Sequence, residues 1–421
     1  MDAGSGSAVT DTGRGPRTRA LVLATVGFML NFWAWALLSP LGSTFVEKGL
    51  TADSALLVAV PVLVGSLGRI PVGALTDRYG GRVMMPLISV VSIVPVLFLG
   101  FFGQDSYTAL LVGGFFLGIA GTVFAVGVPF VNAWFPPSGR GLALGIYGAG
   151  MVGTAISAFT TVPLHVGAGE TVPFLVAAAV LALYAALAWF LMRDAPAWTP
   201  SRTSMVAKVR GAAGLALTWQ AMYLYAIAFG GYVAFSVYLP TYLQNEYGLE
   251  AGDAAARMGG FVVLAVACRV VGGLLADRIG AVTTLLASYL TVTAMAVVLS
   301  INPSLSGIGT AAFLVMAVGL GLGTGAVFGL VGQASDPSKV GAITGLVGAA
   351  GGLGGFVPPL ILGQLWINQS NYGLGLLALA VASAGAVVIT LMVGRAARRR
   401  TAADHEVPIH DADHHDHGRT S

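Results

Sequence analysis

The residues best equipped for chemistry in this chain are two arginines, Arg69 and Arg269, which occupy the same place in two near-copies of one stretch. The first copy reads VGSLGRIPVGALTDRYGGR from Val64 to Arg82, and the second reads LAVACRVVGGLLADRIG from Leu264 to Gly280. An offset of 200 residues aligns Arg69, Gly73, Asp77, Arg78 and Gly80 with Arg269, Gly273, Asp277, Arg278 and Gly280. Each arginine stands inside an apolar run, eight residues before the Asp-Arg pair that ends it. At about 1.5 Å rise per helical residue, each guanidinium falls roughly 12 Å from the end of its run, near the middle of a hydrocarbon slab ~30 Å thick.

A cation at that depth costs on the order of 3 kcal/mol, so it must face a cavity or a partner. An internal salt bridge needs a carboxylate, and the sequence places none there. All 18 Asp and Glu residues fall in tails, loops or loop edges, and of the 21 Lys and Arg residues only Arg69 and Arg269 lie deep in a span. His165, the one histidine outside the C-terminal tail, lies near the outer end of the fifth apolar segment. Guanidinium is planar, permanently charged and weakly hydrated, and its forked donors match a flat oxyanion edge-on. The pair therefore reads as a binding site for a small anion, with aromatic rings or backbone carbonyls as the other way to stabilise the charges.

The elements that hold the pair must be membrane helices. Of 421 residues 56% are hydrophobic and 9% charged, and the mean hydropathy is +0.83, which excludes a soluble domain. Twelve apolar segments are predicted, the first over 21–45 and the last over 372–393, each long enough to span as a helix. They give a basic N-tail (1–20), a first six-helix bundle (21–192), a linker (193–213), a second six-helix bundle (214–393) and a disordered His-rich C-tail (394–421). The class is an all-α membrane protein with two pseudo-symmetric bundles, the arrangement of carriers that rock around a midplane site. Arg78, Arg82, Arg140, Arg278, Lys339 and both tails are basic, whereas the opposite loops carry Glu47, Asp53, Asp105, Glu170, Glu246, Glu250 and Asp253 against Lys48 and Arg257. The positive-inside rule then puts both termini in the cytoplasm.

The fifth and eleventh segments also repeat, as GLALGIYGAGMVGTA from Gly141 and GAITGLVGAAGGLGG from Gly341. Gly145, Gly148, Gly345 and Gly348, at spacings of three and four, open a helix face for close approach. That is ordinary packing in lipid, and it also suits helices that bend as a carrier reorients. The single cysteine, Cys268, forbids an internal disulfide and reads as a small core residue. No phosphate loop, metal-ligand spacing or nucleophile-base pair is present, so neither an enzyme nor a cofactor or metal is expected. The histidines of the tail (His405, His410, His414, His415 and His417) read as part of a solvated segment rather than a metal site. The basic residues form no face that nucleic acid would need.

GALTDRYGGR (Gly73–Arg82) and GLLADRIG (Gly273–Gly280) resemble the loop signature of the major facilitator superfamily. GSLGRIPVG at Gly65–Gly73, FVVLAVACRVVGG at Phe261–Gly273, YAIAFGGYVAFS at Tyr225–Ser236 and both glycine stretches resemble, more narrowly, the nitrate/nitrite porters. The resemblance implies that Arg69 and Arg269 clamp the anion, that Phe124, Tyr225 and Phe229 wall it, and that Gly150, Met151 and Gly351 lie beside it. It implies uptake of nitrate by exchange with nitrite or with protons, in a bacterial cytoplasmic membrane, by a monomer in contact with lipid. One position departs: the family carries an asparagine where this chain has Met151, and a thioether cannot donate the hydrogen bond of an amide. A larger or less demanding anion fits that change, and Thr154, one turn on, is a substitute donor. Asp77, Arg78, Asp277 and Arg278 are expected to latch the cytoplasmic side when it closes. The rival readings are a carrier for another small anion, such as an organic carboxylate, and a proton-driven efflux pump, which would need an embedded acid.

Overall fold

The computed structural model describes residues 14–136, 140–200, 205–334 and 340–405, and among these the regular structure is entirely helical. The twelve spans are α1 (Arg14–Trp35), α2 (Ala55–Tyr79), α3 (Gly81–Gly103), α4 (Tyr107–Trp134), α5 (Leu142–Ala168), α6 (Val172–Leu191), α7 (Ala216–Tyr247), α8 (Ala251–Ile279), α9 (Ala281–Ser300), α10 (Thr310–Ala334), α11 (Val340–Gln369) and α12 (Gly373–His405). Eleven of these regions are apolar enough over their length to cross a bilayer. The remaining one, α1, is diluted by Arg17 and Arg19 in its opening turns. Large side chains such as Phe190, Leu183 and Val381 are 62–74% exposed on the outside of the bundles, as a surface bathed in lipid requires.

The boundaries correct the sequence reading in several places. The first segment does not run helically to Phe45: α1 stops at Trp35, and Phe45 belongs to a separate short helix, Gly42–Glu47. Pro40 lacks the N–H a helix would need there and disfavours helical geometry at Ser39. At both ends the helices outrun the expected tails. Residues 14–20 are the opening turns of α1 and residues 394–405 continue α12, because Ala- and Arg-rich sequence propagates a helix past the membrane edge. The rest of the His-rich tail lies outside the described residues. The linker contains a helix, Met205–Ala213, which packs on α11.

Both Asp-Arg loops are made by glycines in left-handed geometry. Gly80 (φ +80°) stops α2 and Gly280 (φ +92°) stops α8, each directly followed by the next span. Within the halves, α7 packs on α11, α8 on α10, α9 on α12 and α3 on α6; between them, α2 packs on α11 and α5 on α8. The 200-residue repeat maps α2 onto α8 and α5 onto α11, so the two inter-bundle contacts are one contact seen from each half.

The inter-bundle seam is shut at the outer end, the end away from the Asp-Arg loops. Ser39 Oγ donates to the carbonyl of Val237 (2.7 Å), and Ser54 Oγ and Thr241 Oγ1 are 3.0 Å apart. Toward the Asp-Arg loops it is parted. Gly73 and Gly273 lie one turn from Arg69 and Arg269 on the same helix faces, and Gly145 and Gly345 stand likewise to Gly148 and Gly348. Among the described residues, a methyl group built on any of the four would meet nothing within 4 Å. The close approach expected at Gly145 and Gly345 is therefore not made in this conformation.

Candidate functional site

The two copies of the arginine stretch fold differently. α2 breaks at Gly68 into Ala55–Leu67 and Arg69–Tyr79, because Pro71 has no N–H for the carbonyl of Leu67. The equivalent residue in α8 is Val271, and that helix runs unbroken through Arg269. Despite this both side chains turn inward to the seam, with Arg69 8% and Arg269 6% exposed.

Arg69 Nη1 donates to the carbonyl oxygen of Gly348 on α11 (2.7 Å), while its Nε is buried with no hydrogen-bond partner. Its guanidinium carbon lies 5.0 Å from the ring centre of Phe124 and 5.4 Å from that of Phe229. The guanidinium carbon of Arg269 lies 5.8 Å from the centre of the same Phe124 ring. Its Nη1 is 2.6 Å from Sδ of Met151, which is 1% exposed. Tyr225 stacks on Phe229 with ring centres 5.0 Å apart and planes within 4°, and its buried hydroxyl lies against the Arg269 guanidinium without reaching hydrogen-bond geometry. Among the described residues neither arginine forms an ion pair. The site thus holds two positive charges, shared aromatic faces and unpaired donors. Buried polar groups are normally hydrogen-bonded, and the Arg69 Nε left without a partner beside a second cation has the chemistry to receive an anionic acceptor.

Glycines bring the backbone to these side chains. A methyl on Gly351 would lie 2.3 Å from Cδ1 of Tyr225, one on Gly148 would lie 2.8 Å from Nε of Arg269, and one on Gly150 would lie 2.8 Å from the Phe28 ring. Gly148 and Gly348, expected to serve helix bending, are therefore also walls of the site. Gly348 contributes its carbonyl, a role that residue type alone cannot signal. Thr154 is not a free donor: its hydroxyl donates to the Met151 carbonyl (3.0 Å) and pairs with Tyr232 (3.1 Å).

Two rings at the site were not anticipated from the sequence. Phe28 of α1 packs 5.6 Å from Phe124, and Tyr147 of α5 stacks 4.9 Å from Phe28. The only sequence signal was a Phe28–Phe32 pair one turn apart, which any packed helix could carry. At the expected cytoplasmic latch, the guanidinium of Arg78 lies over the ring of its neighbour Tyr79 at 5.5 Å. Nearby, Asp194 from the segment after α6 accepts from the backbone N–H of Arg82 (3.0 Å) and caps the start of α3. Burial pushes the Asp194 carboxyl above the usual range, partly offset by the N–H groups of Arg82 and Gly81.

Comparison with known proteins bears on this geometry. Residues 24–359 match the family profile described as Major Facilitator Superfamily. The chain is 44% identical over 379 residues to "Probable nitrate/nitrite transporter NarK2" of Mycobacterium tuberculosis (strain ATCC 25618 / H37Rv), spanning 89% of this chain and 96% of that protein. It is 34% identical over 389 residues to "Nitrite extrusion protein" of Bacillus subtilis (strain 168), spanning 90% and 95%. Among solved structures, the human organic anion transporter MFSD10 superposes with a TM-score of 0.70 at 14% identity, over 90% of this chain and 100% of that one. A bacterial homolog of the human lysosomal transporter Spinster superposes with a TM-score of 0.66 at 17% identity, over 91% and 98%.

Proposed function

This chain belongs to the Major Facilitator Superfamily and, within it, to the nitrate/nitrite porters, and from that premise we propose that it carries nitrate and nitrite across a bacterial cytoplasmic membrane by alternating access. The observation that carries the reading is the pair of buried guanidiniums with unpaired donors and no carboxylate bonded to either among the described residues. A planar oxyanion lying between Arg69 and Arg269 would take hydrogen bonds from both forks and from the Tyr225 hydroxyl, with Phe124 and Phe229 closing its faces.

The coupling follows from electrostatics. With the site empty, two like charges in low dielectric repel, and closing the halves on them is unfavourable. A bound anion screens both and lets the seam close, so loaded carriers cross and empty ones stall. That is obligatory exchange of one anion for another. With the Asp-Arg loops and both termini in the cytoplasm, as their basic residues favour, a seam shut at the outer end and open at Gly73, Gly145, Gly273 and Gly345 supports reading this as the inward-facing state. A monomer holds the whole site, since both arginines come from one chain.

The test is counterflow in proteoliposomes, with nitrite trapped inside and labelled nitrate outside, with and without a pH gradient. Uptake driven by internal nitrite without a gradient is expected. Uptake that needs the gradient and ignores internal nitrite would replace exchange by proton symport, and competition by small carboxylates but not nitrite would replace the substrate. Arg69→Lys and Arg269→Lys should each abolish counterflow while the protein still reaches the membrane, because lysine keeps the charge and loses the planar fork.

A further inference from the structure

The outer end of the seam contains a carboxylate that the anion site does not use. Asp53 sits in the short segment before α2, in the first bundle, and is pressed against the second bundle. Tyr238 of α7 points its hydroxyl at Asp53 Oδ1 from 3.5 Å. The Tyr238 hydroxyl is 3.3 Å from that of Tyr372, which in turn accepts from Nδ2 of Asn245 (2.7 Å). On α11, a methyl at Gly363 would lie only 2.3 Å from Asp53 Oδ2, so the carboxylate rests on bare helix backbone. Its own segment supplies the N–H groups of Ser54 and Ala55.

The charges around it are as informative as the contacts. No lysine or arginine is among the groups acting on Asp53. The ion pairs Lys48–Glu170 and Arg257–Asp253 each stay within one bundle. Glu246, near the end of α7, bonds Asn302 and acts on Tyr372 rather than on Asp53. An unneutralised carboxyl is thus clamped between two bodies that must separate for the outer mouth to open.

We propose that Asp53 is a proton-binding site that couples the outer gate to external pH, holding the gate shut when protonated and releasing it when ionised. The inference rests on the alternating-access reading given above, but not on which anion is carried. In the shut seam burial pushes the Asp53 carboxyl above the usual carboxylate range, and the Ala55 N–H, the Tyr238 hydroxyl and the Ser54 N–H only partly offset it. In the open mouth water replaces that environment and the ordinary value returns. The state in which a group binds its proton more tightly is the state that protons favour. Acid outside therefore stabilises the shut gate, and that stabilisation is lost as the pH rises through the value in the shut seam. The Tyr238 hydroxyl serves the reversal: it donates to the ionised carboxylate and can accept from the protonated one.

The experiment reads gate opening directly, with nitrate at one saturating concentration on both faces so that the loaded carrier can reorient. Thr241→Cys, in a Cys268→Ser background, places a thiol in the outer seam beside Ser54. It is labelled by a membrane-impermeant maleimide in vesicles with the outer face exposed, at about pH 5 to 8. The same double variant carrying Asp53→Asn as well supplies the intrinsic pH dependence of the thiol, and rates are expressed as the ratio of the two. The ratio should rise at least about threefold from pH 5 to pH 8, within the tenfold per pH unit that a single proton permits. Tyr238→Phe removes a donor to the ionised form, so its rise should move to higher pH. A flat ratio, or a Tyr238→Phe profile that moves to lower pH or does not move, overturns the proposal. A flat ratio beside intact counterflow overturns the Asp53 gate alone, and lost counterflow beside a rising ratio overturns the anion exchange alone.

Discussion

Replacing Gly351 by alanine tests how the anion site is built, because the structure states what the added methyl would meet. It would lie 2.3 Å from Cδ1 and 2.6 Å from Cε1 of Tyr225, and 3.1 Å from Cδ1 of Phe229. Carbon atoms pack comfortably at about 3.5–4.0 Å, so the Tyr225 ring must retreat by roughly 1 Å. It has nowhere to go: the ring is fully buried between Phe229, stacked at 5.0 Å, and Phe328, at 4.7 Å. Overfilling a packed core costs about 1–3 kcal/mol. Taken from anion binding, that is a loss of roughly 5- to 150-fold in affinity. Gly345→Ala, two turns away on the same helix, adds its methyl where no described residue lies within 4 Å. Its affinity in this state should be unchanged, while exchange slows if the seam closes on that position. The assay is equilibrium nitrate binding by detergent-solubilised protein beside counterflow rates for both variants. Wild-type affinity for Gly351→Ala would refute the account of Tyr225 as a wall fixed by bare backbone, and equal affinity losses in both variants would refute it as well.

Two further outcomes follow from single contacts. Phe124→Leu removes the ring face shared by both guanidiniums at 5.0 and 5.8 Å, worth about 0.5–2 kcal/mol for each. The unliganded protein should melt at lower temperature, and nitrate, having lost a wall of its site, should raise the melting temperature by less than in the wild type; an unchanged nitrate shift would count against the shared ring. Asp194→Ala removes the cap on α3 made at the Arg82 N–H (3.0 Å) and should lower stability by about 1 kcal/mol. Asp194→Asn, which keeps an acceptor oxygen, should restore most of it in a denaturation series, and equal losses in both would show that the cap contributes nothing.

The candidate site was legible unevenly. Arg69 and Arg269 stand out because an unpaired charge inside twenty apolar residues is anomalous whatever the fold. The Gly148 and Gly348 positions were visible as a repeat, but their contact with the arginines was not, since spacing tells which residues share a face and not what that face meets. Thr154 had the right chemistry in the right turn, yet its hydroxyl is taken up by the Met151 carbonyl and Tyr232. The ends of α1 and α12 are not legible in hydropathy, which marks where lipid stops, whereas a helix stops where its backbone bonding does.

What the sequence by itself determined is whatever solvent transfer decides locally: helices from unbroken apolar runs, a duplicated half, and two cations stranded among apolar residues. These follow from the cost of placing a given residue in hydrocarbon, which depends on the residue and its immediate neighbours. Tertiary structure alone decided that Met151 meets Arg269 across 118 residues and that the Gly348 carbonyl meets Arg69 across 279. It alone set two guanidiniums over one ring, and shut the seam around Asp53 while leaving it parted at Gly73 and Gly273. Such pairings are chosen by packing between the bundles, where many small residues are equally acceptable to lipid and only their mutual fit distinguishes one arrangement from another.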